Sequence, residues 1–145
     1  MEAARSAAPN LRVAILNDGQ DTITALSEWF HVHGHIPLGM KVADLRKRLT
    51  NPAEVVEAVN PDVLVFDVGL PYAVNWYYAE VLKMSLPHLP IVLTTANRAA
   101  LKEIVGANGV FELTGTSQNL TALLALVYSS CGRTADGRVI ALGDA

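Results

Sequence analysis

Apolar positions along the chain fall into two alternating patterns. Short unbroken runs, rich in β-branched residues, occur at Leu11–Leu16, Asp62–Asp67, Ile91–Thr95 and Val110–Leu113, with a weaker one at His35–Met40. Between them, apolar residues recur every three or four positions, the spacing of a helix with one buried face. The first helix is expected to start at Asp21 or Thr22 as cap, to use Ile23, Leu26, Trp29 and Phe30, and to close near Gly34. Residues 41–60 read as two helical pieces, 41–49 and a second running through Val55, Val56 and Val59, broken at Asn51-Pro52 with Asn51 as cap. A third helix is expected from about Asn75 to Met84 and a fourth over Ala99–Val105, ended by Gly106-Ala107-Asn108-Gly109. Ser117 or Asn119 opens the last, which carries Leu120, Leu123, Leu124, Val127 and Tyr128. Pro37 assigns the weak second strand to an edge or a strand start.

Strands without polar alternation must be covered on both faces, and strands alternating with helices satisfy this by right-handed crossovers. The expected fold class is therefore α/β, a doubly wound parallel sheet. At 145 residues, with 51% hydrophobic and 17% charged, the chain suits one domain with a substantial core. Residues 11–130 form that domain in this reading, with 1–10 a disordered lead-in and 131–145 a polar tail. A net charge of −3 argues against a general phosphate-binding surface, so no nucleic-acid contact is expected. One cysteine, Cys131, excludes an internal disulfide and a multi-cysteine metal cluster. The Ala-rich start is not a signal peptide, and no apolar run has membrane-spanning length. A cytoplasmic location is the expectation.

In open parallel sheets the site lies just beyond the carboxyl ends of the strands. Three strand ends there carry polar groups: Asn17-Asp18 after the first, Asp67 after the third and Thr94-Thr95 after the fourth. The run "PDVLVFDVGLP" (61–71), with "LPIVLTTA" (89–96) and "VGANGVFEL" (105–113), resembles the receiver domain of two-component response regulators. The likeness covers roughly residues 11–130. It implies a flavodoxin-like sheet of strand order 2-1-3-4-5 and phosphorelay signalling. A histidine kinase or phosphotransfer protein would then donate a phosphoryl group, with Mg²⁺ as cofactor. By the same resemblance Asp67 is phosphoacceptor and metal ligand, Asp18 the direct acidic ligand, and the Gly69 backbone carbonyl the third ligand. Thr95 is the hydroxyl that contacts the phosphoryl group. Such a domain accepts a group stoichiometrically and is not an enzyme.

Two positions depart from the resemblance. Asn17 stands where the first acid of the pair belongs, which keeps an oxygen but removes a charge and leaves at most a weak or water-mediated metal contact. Leu113 falls where the family has a lysine after strand five, and Thr114 where a proline usually follows; Lys83 and Lys102 lie on helices and are poor substitutes. The aromatic switch position falls on Val110. A pseudo-receiver, signalling by protein contacts without phosphorylation, is therefore the alternative reading. An unrelated α/β domain with two solvated strand-end acids is the third.

The remaining features carry less chemistry. His31, His33 and His35 alternate as metal ligands on a strand would, but they straddle a helix end, where the dipole alone favours histidine. Trp76-Tyr77-Tyr78 cannot all face one core, so at least one ring is expected at the surface. The last helix is apolar on more than one face, a width that suits a homodimer or domain interface.

Overall fold

The computed structural model describes residues 10–47, 51–95, 110–112 and 117–132. Among them are strands β1 (Arg12–Asn17), β2 (Ile36–Lys41), β3 (Val63–Asp67), β4 (Ile91–Thr95) and β5 (Val110–Glu112). The helices are α1 (Gln20–Val32), α2 (Val42–Lys47), α3 (Pro52–Ala58), α4 (Tyr72–Ser85) and α5 (Ser117–Ser130). The strands form one parallel sheet in the order β2-β1-β3-β4-β5, the doubly wound arrangement expected from the apolar runs and the flavodoxin-like strand order that the resemblance implies.

Alternation along each strand divides the core in two. On one face Ala14, Leu16, Leu64, Phe66 and Leu93 pack with Val42 and Leu45 of α2, Ala53 and Val56 of α3, and Ala79 and Leu82 of α4. On the other, Val13, Ile15, Val63, Val65 and Val92 meet Ile23, Leu26 and Phe30 of α1 and Leu123, Leu124, Val127 and Tyr128 of α5. Residues 63–66 are all buried, which is why the sequence there shows no polar alternation. Truncating Phe66, which is fully buried, would cost about 3–5 kcal/mol.

Several boundaries differ from those read in the sequence. Helix α1 begins at Gln20 with Gly19 as N-cap and no side-chain cap bond, so neither Asp21 nor Thr22 caps it. Helix α4 starts at Tyr72, three residues before Asn75, with Pro71 as its N-cap. Asn75 is fully buried inside the first turns, and its amide donates backward to the carbonyls of Gly69 (2.9 Å) and Leu70 (3.3 Å). The Asn75 side chain thus ties the helix to the loop before it. Strand β2 runs one residue later than expected, to Lys41. Asn51 does cap α3, accepting from the Ala53 N–H at 2.9 Å, with Pro52 at the first helical position.

Tyr77 is the exposed ring of the aromatic triplet, at 66%, while Trp76 and Tyr78 pack against the core. No helix among the described residues is long and apolar enough to cross a membrane. The expected helix at 99–105, Leu113, Thr114, Lys102, the lead-in 1–9 and the tail from 133 lie outside the described residues.

Candidate functional site

The register of the ladders sets which side chains share the carboxyl edge of the sheet. β1 pairs Leu16 with Phe66 of β3, so the next residues, Asn17 and Asp67, fall side by side. On either flank, Asn17 pairs with Lys41 of β2, and Asp67 with Thr94 of β4. One polar row, Lys41-Asn17-Asp67-Thr94, therefore crosses four strands on the face covered by α1 and α5. The sheet ends in chemistry where its apolar pattern ends.

Asp67 is the centre of that row. Its Oδ1 accepts a hydrogen bond from the Thr94 hydroxyl at 2.8 Å. Burial pushes its carboxyl above the ordinary aspartate range; the Thr94 bond opposes that shift, and the negative charge of Asp18 adds to it. Asp18 is exposed, and its Oδ1 accepts from the Ala43 N–H at 3.1 Å, so the carboxylate leans over the start of α2. Asn17 is buried and its Oδ1 accepts from the Gly19 N–H at 2.9 Å, which turns the chain from β1 into α1.

The loop after β3 approaches Asp67 closely. A Cβ added at Gly69 would stand 3.5 Å from Asp67 Oδ2, so the absence of a side chain keeps that oxygen uncovered. The Gly69 carbonyl accepts from the Asn75 amide and retains a second lone pair. The loop is further held by the Val68 N–H donating to the Thr94 carbonyl at 2.7 Å.

Thr95 occupies the opposite face of β4. It is fully buried, and its hydroxyl donates to the Val68 carbonyl at 2.9 Å. Thr94, the first of the two strand-end threonines, is the hydroxyl on Asp67. Only the β3–β4 register distinguishes the two, because parallel partners share a face. Leu113 is outside the described residues; the ladder of β5 pairs Val110 with Leu93 and Glu112 with Thr95. Lys83 is exposed in the last turn of α4, at the far end of that helix from Asp67.

The donors around Asp67 are all oxygens: two carboxylates, one amide and one main-chain carbonyl. That set suits a hard divalent cation, whose charge would relieve the repulsion between Asp18 and Asp67. Among the described residues no three His, Cys, Asp or Glu side chains converge, so a cation there would lean on the Gly69 carbonyl and water. The histidine tract forms no such site. His35 is buried, its Nδ1 accepting from the Leu11 N–H and its Nε2 bonded to the Tyr128 hydroxyl at 2.7 Å. His33 bonds the Trp29 carbonyl through Nδ1 at 2.8 Å, at the end of α1.

No family model matches the chain, and no curated protein matches it. Solved structures do. The receiver domain of DrrB activated with BeF3 superimposes with a TM-score of 0.57 and 20% identity, over 86% of this chain and 99% of that one. The chemotaxis protein CheY4 of Vibrio cholerae gives 0.59 and 18%, over 81% and 98%. NtrX of Brucella abortus, solved with ADP, gives 0.62 and 13%, over 83% of this chain but only 27% of NtrX. The chain has the fold of response regulator receiver domains.

Proposed function

We propose that the chain is a cytoplasmic receiver domain that accepts a phosphoryl group on Asp67 from a histidine kinase or phosphotransfer protein. The observation that carries this reading is the half-covered Asp67 carboxylate at the edge of the sheet. Thr94 holds one of its oxygens and Gly69 leaves the other uncovered. In the transfer, an Asp67 oxygen attacks the phosphorus of a phosphohistidine. The new P–O bond forms as the P–N bond breaks, and the imidazole nitrogen keeps the electron pair and takes up a proton.

Asp18, Asp67 and the Gly69 carbonyl would hold Mg²⁺, with Asn17 joining through water. When bound, Mg²⁺ supplies positive charge to the phosphoryl oxygens. The residues of the chain do the rest. Thr94 orients the nucleophile, and the Asn75 amide holds the Gly69 carbonyl in the loop. Contact between Thr95 and the phosphoryl group would require its hydroxyl to leave the Val68 carbonyl. The chain is consumed once per transfer and is not an enzyme in this reading.

Titration with beryllofluoride and Mg²⁺, followed by tryptophan fluorescence, tests the reading. A saturable, Mg²⁺-dependent change that Asp67→Ala abolishes is expected; no change in the native chain would contradict it.

The pseudo-receiver reading draws on a specific observation. Asn17 brings no charge, and its amide oxygen is engaged by the Gly19 N–H. Under that reading, Asp67→Ala and Asp67→Glu leave partner binding unaltered, whereas a phosphorelay role makes both change it.

A further inference from the structure

We infer that Lys41 supplies the positive charge that meets a phosphoryl group on Asp67, reaching across Asn17 from the edge strand; this rests on the phosphoacceptor reading above. A phosphorylated hydroxyl carries about 1.5 to 2 negative charges, and an acyl phosphate on Asp67 puts a similar charge beside Asp18 where the carboxylate carried one. The position at which the family resemblance expects a lysine is Leu113. Two other basic side chains, those of Arg12 and Lys83, stand away from the site. Arg12 donates to the carbonyls of Val59 and Asn60 at the opposite end of β1, and Lys83 stands at the far end of α4.

Lys41 stands on the edge itself. It ends β2 and is the direct ladder partner of Asn17. Adjacent strands lie about 4.8 Å apart, so Lys41 and Asp67, separated by β1 alone, are roughly 10 Å apart at their backbones. An extended lysine spans about 6 Å at roughly 1.5 Å per bond, and a phosphorylated aspartate covers the remainder. The face is the right one. Gly39, two residues before Lys41, lies against Ile23 of α1, and Lys41 lines a surface hollow that wraps the open edge of β2, from Gln20 and Ile23 on this face to Met40, Leu45 and Val55 on the other. Asp44, on α2, also lines the hollow. Asp18, bonded to the Ala43 N–H two residues beyond Lys41, brings the acidic rim of the site to the same junction.

The neutral residue at 17 belongs to this arrangement. An aspartate there would be the nearest cross-strand neighbour of Lys41 and would capture its ammonium group in a local pair. Asparagine, its oxygen already held by Gly19, leaves the charge available to the next strand. The two departures from the family pattern then compensate: one charge is absent at 17, and a cation arrives from β2 in place of one beyond β5.

Calorimetry on the full chain separates this assignment from the reading beneath it. Mg²⁺ affinity is measured alone, and beryllofluoride affinity at saturating Mg²⁺, for the native chain, Lys41→Gln and Lys41→Arg. Removing a cation beside the metal should raise Mg²⁺ affinity about twofold, while removing a charged donor to the fluoride group should weaken that adduct about tenfold. Lys41→Arg should retain most of the adduct affinity. Opposite movement of the two constants in Lys41→Gln supports the assignment. An adduct unchanged in Lys41→Gln, or a parallel fall in both constants, overturns it and leaves Asp67 as acceptor. Absence of any adduct in the native chain overturns both.

Discussion

Two adjacent threonines with different duties make the site testable one hydroxyl at a time. Thr94 bonds the Asp67 carboxylate, so its contribution depends on that group being ionised. Thr94→Val is expected to cost about 1 kcal/mol at neutral pH and less as pH falls into the range where Asp67 is protonated. Thr95 bonds a buried main-chain carbonyl, so Thr95→Val should cost about 1–2 kcal/mol with no such pH dependence. Denaturant unfolding of both variants at neutral and acidic pH checks the contrast.

Asp67 itself gives the opposite sign. Its folded-state value lies above the ordinary 3.8, chiefly because burial disfavours the charge. Between the unfolded and folded values the native state holds more protons, so stability falls as pH rises through that window. The favourable contribution is fully present below 3.8 and lost above the raised value. Asp67→Asn should therefore melt higher than the native chain at neutral pH without Mg²⁺, and the difference should vanish in acid. A variant melting lower at neutral pH would contradict this. Asp67 and Asp18 were legible as carboxylates at strand ends, because strand ends and acidic residues are both visible in one dimension. Which of Thr94 and Thr95 meets the Asp67 carboxylate is not visible there, because it depends on register with β3.

At the scale of elements, the strand–helix alternation was legible and the helix starts were not. Unbroken runs such as Val63–Phe66 can only be covered strands, and β4 follows the expected Ile91–Thr95. Helix α4 starts at Tyr72, three residues before the expected Asn75, with Pro71 as its N-cap and no side-chain cap bond to mark the start. His35 shows the same limit. Its place beside His31 and His33 reads as a solvated helix end, whereas tertiary structure makes it a buried link between the Leu11 N–H and Tyr128, 93 residues away. That link ties the start of β1 to α5. Tyr128→Phe should cost about 1 kcal/mol in the native background and close to nothing in His35→Ala, a coupling that a double-mutant cycle measures directly.

For the whole molecule, the fold and the candidate chemistry meet on one edge. The doubly wound sheet brings strand ends far apart in sequence into the row Lys41-Asn17-Asp67-Thr94, which no local pattern contains. The central claim is that Asp67 accepts a phosphoryl group. Its most direct test is intact-mass measurement after incubation with a small acyl phosphate donor and Mg²⁺. A gain of one phosphoryl group is expected, which hydroxylamine removes and Asp67→Ala does not acquire. No gain in the native chain, or a gain that persists in Asp67→Ala, would contradict it.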